Sequence, residues 1–143
     1  MKEDLHFLLM KCFYHNNRMI VQQLQGTGLL PGQPKILECL CERDGVTPKE
    51  IGKRCGLDKS TITGLLNKME QQELICKKAQ PADRRSVKIH LTDQGRRKAA
   101  QIKEIFHRVD TFAARDLLAA EYDELIRLLK KILDTYENKE DET

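Results

Sequence analysis

The segment from residue 47 to residue 97 constrains the fold of this chain more than any other part of the sequence. Thr47, Pro48 and Glu50 form a helix start, with a threonine N-cap, proline at the first helical position and a carboxylate three residues after the cap. Gly56 follows closely and supplies the flexible residue that ends a short helix. The segment therefore opens with a short capped helix and a tight turn, which is the first half of a helix-turn-helix.

A second helix is expected from Asp58, its N-cap, to about Gln72, and it has two chemically different faces. Its apolar residues recur at spacings of three and four, as in a helix that packs one side against a core. The opposite side carries hydroxyl, amide and basic groups and no acidic group. Such a face can lie against base edges, whereas an ordinary solvated face is the alternative interpretation. The apolar set is Ile62, Leu65, Leu66 and Met69.

Gly64 stands in the middle of the polar face, although glycine lowers helix propensity by about 1 kcal/mol relative to alanine. Close approach of a phosphate backbone or a base edge would explain its presence. We expect Lys59 to contact a phosphate and Asn67 to bind an adenine edge. The DNA contacts predicted on this helix are Lys59, Ser60, Thr61, Thr63, Gly64, Asn67 and Lys68.

Two segments with apolar residues, 74–79 and 86–91, flank a polar loop at 80–85 and predict a β-hairpin. A two-stranded ribbon is marginal alone, so it must pack against the helices and project its tip. Arginines on such a tip can enter a narrow minor groove, and the acidic residue of the loop would pair with one of them or with Lys88. A solubilising charged turn is the alternative. The predicted wing contacts are Asp83, Arg84 and Arg85.

The positive charge of the chain is concentrated in the same segment. Residues 46–98 carry 13 Lys and Arg residues against six Asp and Glu residues, whereas the whole chain carries 25 against 22. The remaining residues are therefore net negative. A positive field over the suspected contact surface is what phosphate binding requires.

Four stretches together resemble the MarR family of bacterial transcriptional regulators. They are IGKRCGLDKSTIT at 51–63, Leu74-Ile75, PADRRS at 81–86 and LTDQG at 91–95. The resemblance covers nearly the whole chain, and the wing with the following Leu-Thr-x-x-Gly is its most specific part. One departure is Glu73, where the family usually has glycine, so the turn after the second helix should be less relaxed.

The resemblance implies a mainly α protein of the α+β class, a winged helix-turn-helix whose N- and C-terminal helices form a dimerisation region. It also implies a sequence-specific regulator of double-stranded DNA, more often a repressor, that acts as a homodimer on a palindromic operator and responds to a small-molecule effector. Arg85 matches the family position that enters the minor groove, Arg84 would approach the backbone, and Asp83 would brace the loop.

Apolar residues at helical spacing in both flanks exceed what a small winged-helix core needs. A monomeric helical cap is the alternative to a dimer. We expect one MarR-like domain over 1–143, with a DNA-binding lobe at 33–98 and dimerisation helices at 1–25 and 99–138. The residues predicted between subunits are Leu5, Leu9, Leu125, Leu129 and Ile132.

The five cysteines, an odd number, argue against a secreted disulfide scaffold, and their spacing with the four histidines predicts neither a metal site nor a cofactor. Cys39 and Cys41 should point apart on one helix. One branch of the family senses hydroperoxides through a cysteine in a context like Leu-Cys-Phe-Leu-Leu. Here the matching run is Leu5-His6-Phe7-Leu8-Leu9, which leaves Cys12 as the candidate for a thiol-based sensor.

Other functional classes find less support in the sequence. No catalytic triad, phosphate-binding glycine loop or pair of carboxylates stands out, so an enzyme is not predicted. A winged-helix module for protein association remains an alternative, although it would not need the two arginines of the wing. No apolar run is long enough to span a bilayer, which favours a cytoplasmic protein. The polar residues 138–143 are expected to fray.

Overall fold

The structure is a computed structural model of the 143-residue chain, and it describes residues 3–80 and 82–141, without the side chains of residues 83–85. Two compact units are present, one up to Val109 and the other from Asp110 onward. The described elements are α1 (Leu5–Gln23), α2 (Gln33–Glu42), α3 (Pro48–Cys55), α4 (Lys59–Gln71), β1 (Ile75–Gln80), β2 (Asp83–Leu91), α5 (Asp93–Ala113) and α6 (Ala119–Asp141). The predicted mainly α, α+β winged helix-turn-helix is confirmed.

The helix-turn-helix starts and stops at the predicted residues because its signals are local. Thr47 and Glu50 form the reciprocal capping box at the start of α3, and Gly56 takes the left-handed conformation, φ 66°, at its end. Asp58 then caps α4, where its carboxylate accepts a hydrogen bond of 2.7 Å from the backbone N–H of Thr61. That bond is the main reason why the pKa of Asp58 is lowered, so the cap stays ionised at neutral pH.

The turn after α4 is strained at the position where the family usually has glycine. Glu73 has a φ of 61°, which is left-handed and disfavoured for a residue with a Cβ. The backbone N–H of Glu73 donates to Glu70 and that of Leu74 to Met69, both at 3.0 Å, which is the Schellman pattern. Thr92 holds the turn from outside by donating to the Glu73 carbonyl at 2.6 Å. The expectation of a less relaxed turn is confirmed.

The hairpin differs from the sequence prediction in its loop. The two strands are antiparallel and leave only residues 81 and 82 between them, so residues 83–85, predicted in the loop, belong to the backbone of β2. The cause is a register shift: Ala79 pairs with Val87, whereas the next residue, Gln80, pairs with Asp83. Residues 84–86 of β2 therefore have no partner on β1 and form a bulge. Such a bulge bends the strand and increases its twist.

The core lies where α2, α3, α4 and α5 meet the base of the hairpin. Gly95 of α5 lies against the backbone carbonyl of Leu74, so close that a Cβ at this position would overlap it. This contact lets α5 start directly beside the end of α4. The largest fully buried apolar side chains are Ile36, Leu37, Leu40, Ile51, Leu66, Met69, Ile75, Ile89, Ile102 and Ile105.

The C-terminal helix is longer than predicted. We expected residues 138–143 to fray, but α6 continues to Asp141, the last described residue. Glutamate and lysine are good helix formers, and extending an established helix costs far less than starting one. The prediction is therefore wrong for residues 138–141, and the last two residues lie outside the described chain.

Candidate nucleic-acid interface

The outer face of α4 is solvent-exposed along its full length. Ile62, Leu66 and Met69 are buried, as the apolar spacing predicts, and Leu65 is half-buried. The predicted contact residues on α4 are all exposed: Lys59, Ser60, Thr61, Thr63, Gly64, Asn67 and Lys68. These residues therefore lie on one accessible side of the helix. Their exposure alone does not test whether they bind DNA.

Gly64 has no structural reason to be glycine within the described chain. No atom of the described residues comes within 4 Å of the position that a Cβ would occupy, and its φ is not left-handed. The residue therefore leaves a gap on the outside of α4. A surface that approaches this helix closely would use that gap.

The side chain of Asn67 is hydrogen-bonded to the hairpin. The Nζ of Lys77 on β1 donates to its Oδ1 at 2.7 Å, and the same Nζ lies 3.8 Å from a carboxylate oxygen of Glu70. The amide NH₂ of Asn67 thus points away from Lys77, while Oδ1 keeps one acceptor position for another donor. Lys77 was not predicted as part of the site. Its position on the same face of β1 as the core, in register with the buried Ile89, could have indicated that it lies beside α4.

Two lysines oppose each other on the outward face of the hairpin. Lys78 of β1 pairs in register with Lys88 of β2. Directly opposed like charges on neighbouring strands are destabilising, and an anion such as phosphate would relieve them. These lysines were not predicted as contacts. The side chains of the three predicted wing contacts, Asp83, Arg84 and Arg85, lie outside the described part of the chain.

The loop between α2 and α3 ties the base of the hairpin to the helix-turn-helix. Oδ1 of Asp44 accepts from the backbone N–H of Leu91 at 2.8 Å, and Oδ2 lies 3.2 Å from Nδ1 of His90. Val46 adds a bridge, since its carbonyl accepts from the N–H of Ile89 at 2.8 Å. The wing therefore keeps a fixed direction relative to α3 and α4.

Comparison with known proteins identifies the family. The MarR family profile matches residues 29–87. The HTH-type transcriptional regulator MgrA of Staphylococcus aureus is 30% identical over 138 residues, which cover 96% of this chain and 92% of that protein. The chain belongs to the MarR family. It is thus a DNA-binding transcriptional regulator and not an enzyme.

Other relatives are also named as transcriptional regulators. The Bacillus subtilis regulator YkoM, an uncharacterized HTH-type protein, is 29% identical over 90% of this chain and 83% of its own length. A putative transcriptional regulatory protein for the hcr operon of Thauera aromatica is 30% identical over 73% of this chain, a match that spans only 63% of that relative.

Solved MarR-type structures share the fold. A crystal structure of MarR superposes with a TM-score of 0.86 at 21% identity, over 100% of this chain and 99% of that chain. The PcaV regulator of Streptomyces coelicolor, in complex with its natural ligand, has a TM-score of 0.80 at 22% identity, over 94% and 97% of the two chains.

A cavity adjoins the first half of α4. Its volume is about 370 Å³, and its lining residues all belong to the first compact unit. The walls are largely apolar, including Phe13, Ile20 and Phe106, with Asn16, Asn17 and Lys35 as polar groups. Thr61 and Leu65 of α4 also line it. Thr61 therefore borders both this cavity and the outer face where DNA contact is predicted.

A pair of amide side chains connects the loop beside this cavity to the end of α4. Gln33 is fully buried, and its Nε2 donates to Oε1 of Gln72 at 2.8 Å. Gln72 in turn donates to the carbonyl of Gly28 at 3.3 Å, while the backbone N–H of Leu30 donates to Oε1 of Gln33 at 3.0 Å. A displacement of the loop at residues 28–30 would therefore be transmitted through these hydrogen bonds to the last turn of α4.

The residues predicted to lie between subunits are accessible in the single chain. Leu5 is 53% and Leu9 36% exposed on α1, and Leu125 is 43% and Leu129 38% exposed on α6, where Ile132 is half-buried. Not one side chain of α6, a helix that lies wholly within the described residues, is buried.

Cys12 and His6 are both exposed on α1, and hydroperoxide sensing through Cys12 stays a prediction. In the described chain no group of three or more His, Cys, Asp or Glu side chains could hold a metal ion. None of the described helices has the length and apolar content needed to cross a membrane. On α2 Cys39 is half-buried and Cys41 is exposed.

Proposed function

We propose that this MarR-family protein acts in the bacterial cytoplasm as a homodimeric repressor that binds a palindromic operator and is released by a small-molecule effector. The observation that carries the proposal is the exposed face of α4, whose predicted contact residues are neutral or basic, with its open position at Gly64. Lys77 of the anchored hairpin bonds Asn67 on this face, and Lys78 pairs with Lys88 across the hairpin.

In the proposed complex α4 enters the major groove, which is wide enough for an α-helix. Asn67 then presents its NH₂ group to a base acceptor, while Lys77 holds its oxygen. Lys59, at the exposed start of the helix, contacts a phosphate. Arg84 and Arg85 of the bulged strand approach the backbone and the neighbouring minor groove, with Asp83 bracing them.

The exposed leucines of α1 and α6 support dimerisation. Large apolar side chains in such number are unusual on the surface of a monomer and mark an interaction site. A second copy of the chain is the proposed partner, because a two-fold dimer presents two recognition helices to two half-sites about 34 Å apart. A palindromic operator follows from that symmetry.

The cavity beside α4 supports the effector part of the proposal. A volume of about 370 Å³ with apolar walls and a few polar groups suits a small organic molecule. A ligand that binds one position of α4 better than another would shift DNA affinity by that difference. The contacts through Leu65 and the Gln33–Gln72 pair give it a direct route to the helix.

Two substitutions separate base recognition from phosphate binding, using an operator selected from random duplex DNA. Asn67→Ala should cost about 1–3 kcal/mol on the operator and much less on unrelated DNA. Lys59→Ala should weaken binding to both and flatten the dependence on salt concentration. Lys103→Ala, an exposed lysine of α5, is the matched control and should change neither. A selected site without two-fold symmetry would contradict the palindromic operator.

The effector cavity is tested by filling it. A compound collection is screened for release of labelled operator DNA, and each active compound is retested on Val21→Trp, which places an indole at the cavity wall. The variant should bind the operator normally and resist release. Release at the same compound concentration from the variant and the parent protein would remove the cavity from the mechanism.

A further inference from the structure

Two cysteines far apart in the sequence meet between α2 and α3. Cys39 lies on α2 and Cys55 is the last residue of α3, and both residues line one groove. The Sγ of Cys55 also donates to the backbone carbonyl of Lys35 at 3.5 Å. The pair thus bridges the first two helices of the DNA-binding lobe, one residue before the turn at Gly56.

The thiol pair is accessible to a small ion. Both residues are half-buried, and both line a groove of about 280 Å³. The charged groups around it come from both helices, since Lys35, Glu38 and Glu42 belong to α2 and Arg54 to α3. Arg54 and Glu42 form an ion pair of 2.8 Å at the rim of the groove. A partly solvated ion can therefore enter without opening the core.

We propose that Cys39 and Cys55 form a two-thiolate binding site for a soft monovalent metal ion of the Cu⁺ type. Thiolate sulfur is the ligand class that such ions prefer, and they accept as few as two ligands. Zn²⁺ and the hard divalent ions need larger sets, and the described residues offer no group of three suitable side chains. Two thiols without a third suitable side chain among the described residues therefore suit an ion of low coordination number.

The half-buried thiols bind an ion by losing their protons. Burial raises the pKa of Cys55 to about 11 and also raises the pKa of Cys39. Both thiols are therefore protonated at neutral pH, and a protonated thiol is a poor nucleophile toward peroxide. A thiophilic ion instead displaces the protons: Cu⁺ and two thiols give a bis-thiolate complex of charge −1 and two released protons. Lys35 and Arg54 favour that negative charge, whereas Glu38 and Glu42 oppose it.

The release of two protons predicts a steep pH dependence. Below the pKa values of both thiols, the apparent affinity for Cu⁺ should rise about 100-fold for each unit of pH. A site that used one thiol and a neutral ligand would show about a tenfold rise. This pH dependence can be measured on the protein without substitutions, so it does not depend on any cysteine variant.

The decisive experiment compares two variants with complementary cysteines. One keeps only the pair (Cys12→Ser, Cys41→Ser, Cys76→Ser), and the other lacks it (Cys39→Ser, Cys55→Ser). Cu⁺ is titrated without oxygen against a chromogenic Cu⁺ chelator. The first variant should bind one ion per chain with two sulfur ligands by X-ray absorption, and its thermal midpoint should rise with Cu⁺. The second should lose this binding.

Three results would overturn the proposal: equal Cu⁺ binding by the variant without the pair, half an ion per chain, or a tenfold pH slope. Rapid loss of both thiols to hydrogen peroxide without metal, as fast as the loss of the exposed Cys41, would also overturn it and indicate a disulfide instead. The measurements involve no DNA, so their outcome is independent of the operator-binding tests.

Discussion

Gly64 and Gly95 differ in what a side chain at each position would meet, and substitution by alanine should have opposite effects on stability at the two positions. Gly64→Ala should stabilise the protein by about 1 kcal/mol, because alanine favours the helix and the added methyl meets no described atom. The same change should weaken operator binding if the gap receives DNA. Urea unfolding and fluorescence-anisotropy titration measure the two effects. A more stable protein with unchanged DNA affinity would remove Gly64 from the interface.

Gly95→Ala is the contrasting case. A Cβ here would overlap the backbone carbonyl of Leu74, and neither α5 nor the start of β1 can move without disturbing the core. We expect a loss of several kcal/mol, in the upper range of single substitutions. Urea unfolding measures it, and stability within about 0.5 kcal/mol of the parent would show that α5 shifts freely.

Glu73 is a position where the natural residue is not the most stable one. Left-handed backbone costs a residue with a Cβ roughly 1–2 kcal/mol, so Glu73→Gly should relieve most of that strain, offset partly by a more flexible unfolded chain. We expect higher stability by up to about 1 kcal/mol. Glu70→Gly, the same change inside α4, is the control and should instead lose about 1 kcal/mol. Equal signs for the two variants would contradict this account.

At the scale of elements, the wing can be tested without disturbing the fold. Arg85→Ala should weaken operator binding strongly and leave dimerisation and thermal stability unchanged. Arg85→Lys should restore only part of the loss, since lysine keeps the charge but lacks the planar donor group that suits a narrow groove. Anisotropy titrations at two salt concentrations measure both variants. Full restoration by lysine would indicate a purely electrostatic contact.

Asp83→Ala distinguishes two mechanisms of the wing by the direction in which it changes DNA affinity. If Asp83 braces the bulged strand, its loss should weaken binding, although a negative charge is removed from near DNA. If the wing supplies only unspecific charge, binding should tighten. Tighter binding by Asp83→Ala together with unchanged binding by Arg85→Ala would exclude the wing from recognition.

Features that depend on residues close together in the sequence were predicted, and features that depend on distant residues were not. The caps at Thr47 and Asp58 and the stop at Gly56 were predicted because each acts within four residues. The bulge in β2 was not, since it depends on pairing across the hairpin. The hydrogen bond of Lys77 with Asn67 and the meeting of Cys39 and Cys55 in one groove were also missed. Both depend on packing between elements that are distant in the sequence, which the spacing of residues within one element does not predict.

At the scale of the whole molecule, dimerisation can be tested on α6. Leu129→Asp places an unpaired charge in the proposed interface, where breaking apolar contacts and burying the carboxylate both cost free energy. We expect a monomeric or unfolded protein by sedimentation at micromolar concentration, with severe loss of operator affinity. Lys131→Asp, an exposed residue on the opposite side of the helix, should remain dimeric. A stable, well-folded monomer of the unmodified chain would contradict the dimer.

The hydrogen bond from Lys77 to Asn67 also bears on how a regulator of this design could acquire new target genes. Replacing Asn67 alone by a residue without an acceptor atom would remove the hydrogen bond that Lys77 donates, so the first step would lose affinity as well as alter preference. A change at position 77 alone would release the amide to turn. Retargeting by evolution or by design should therefore proceed through paired substitutions at 67 and 77, and a library that varies both should yield new specificities that either single library lacks.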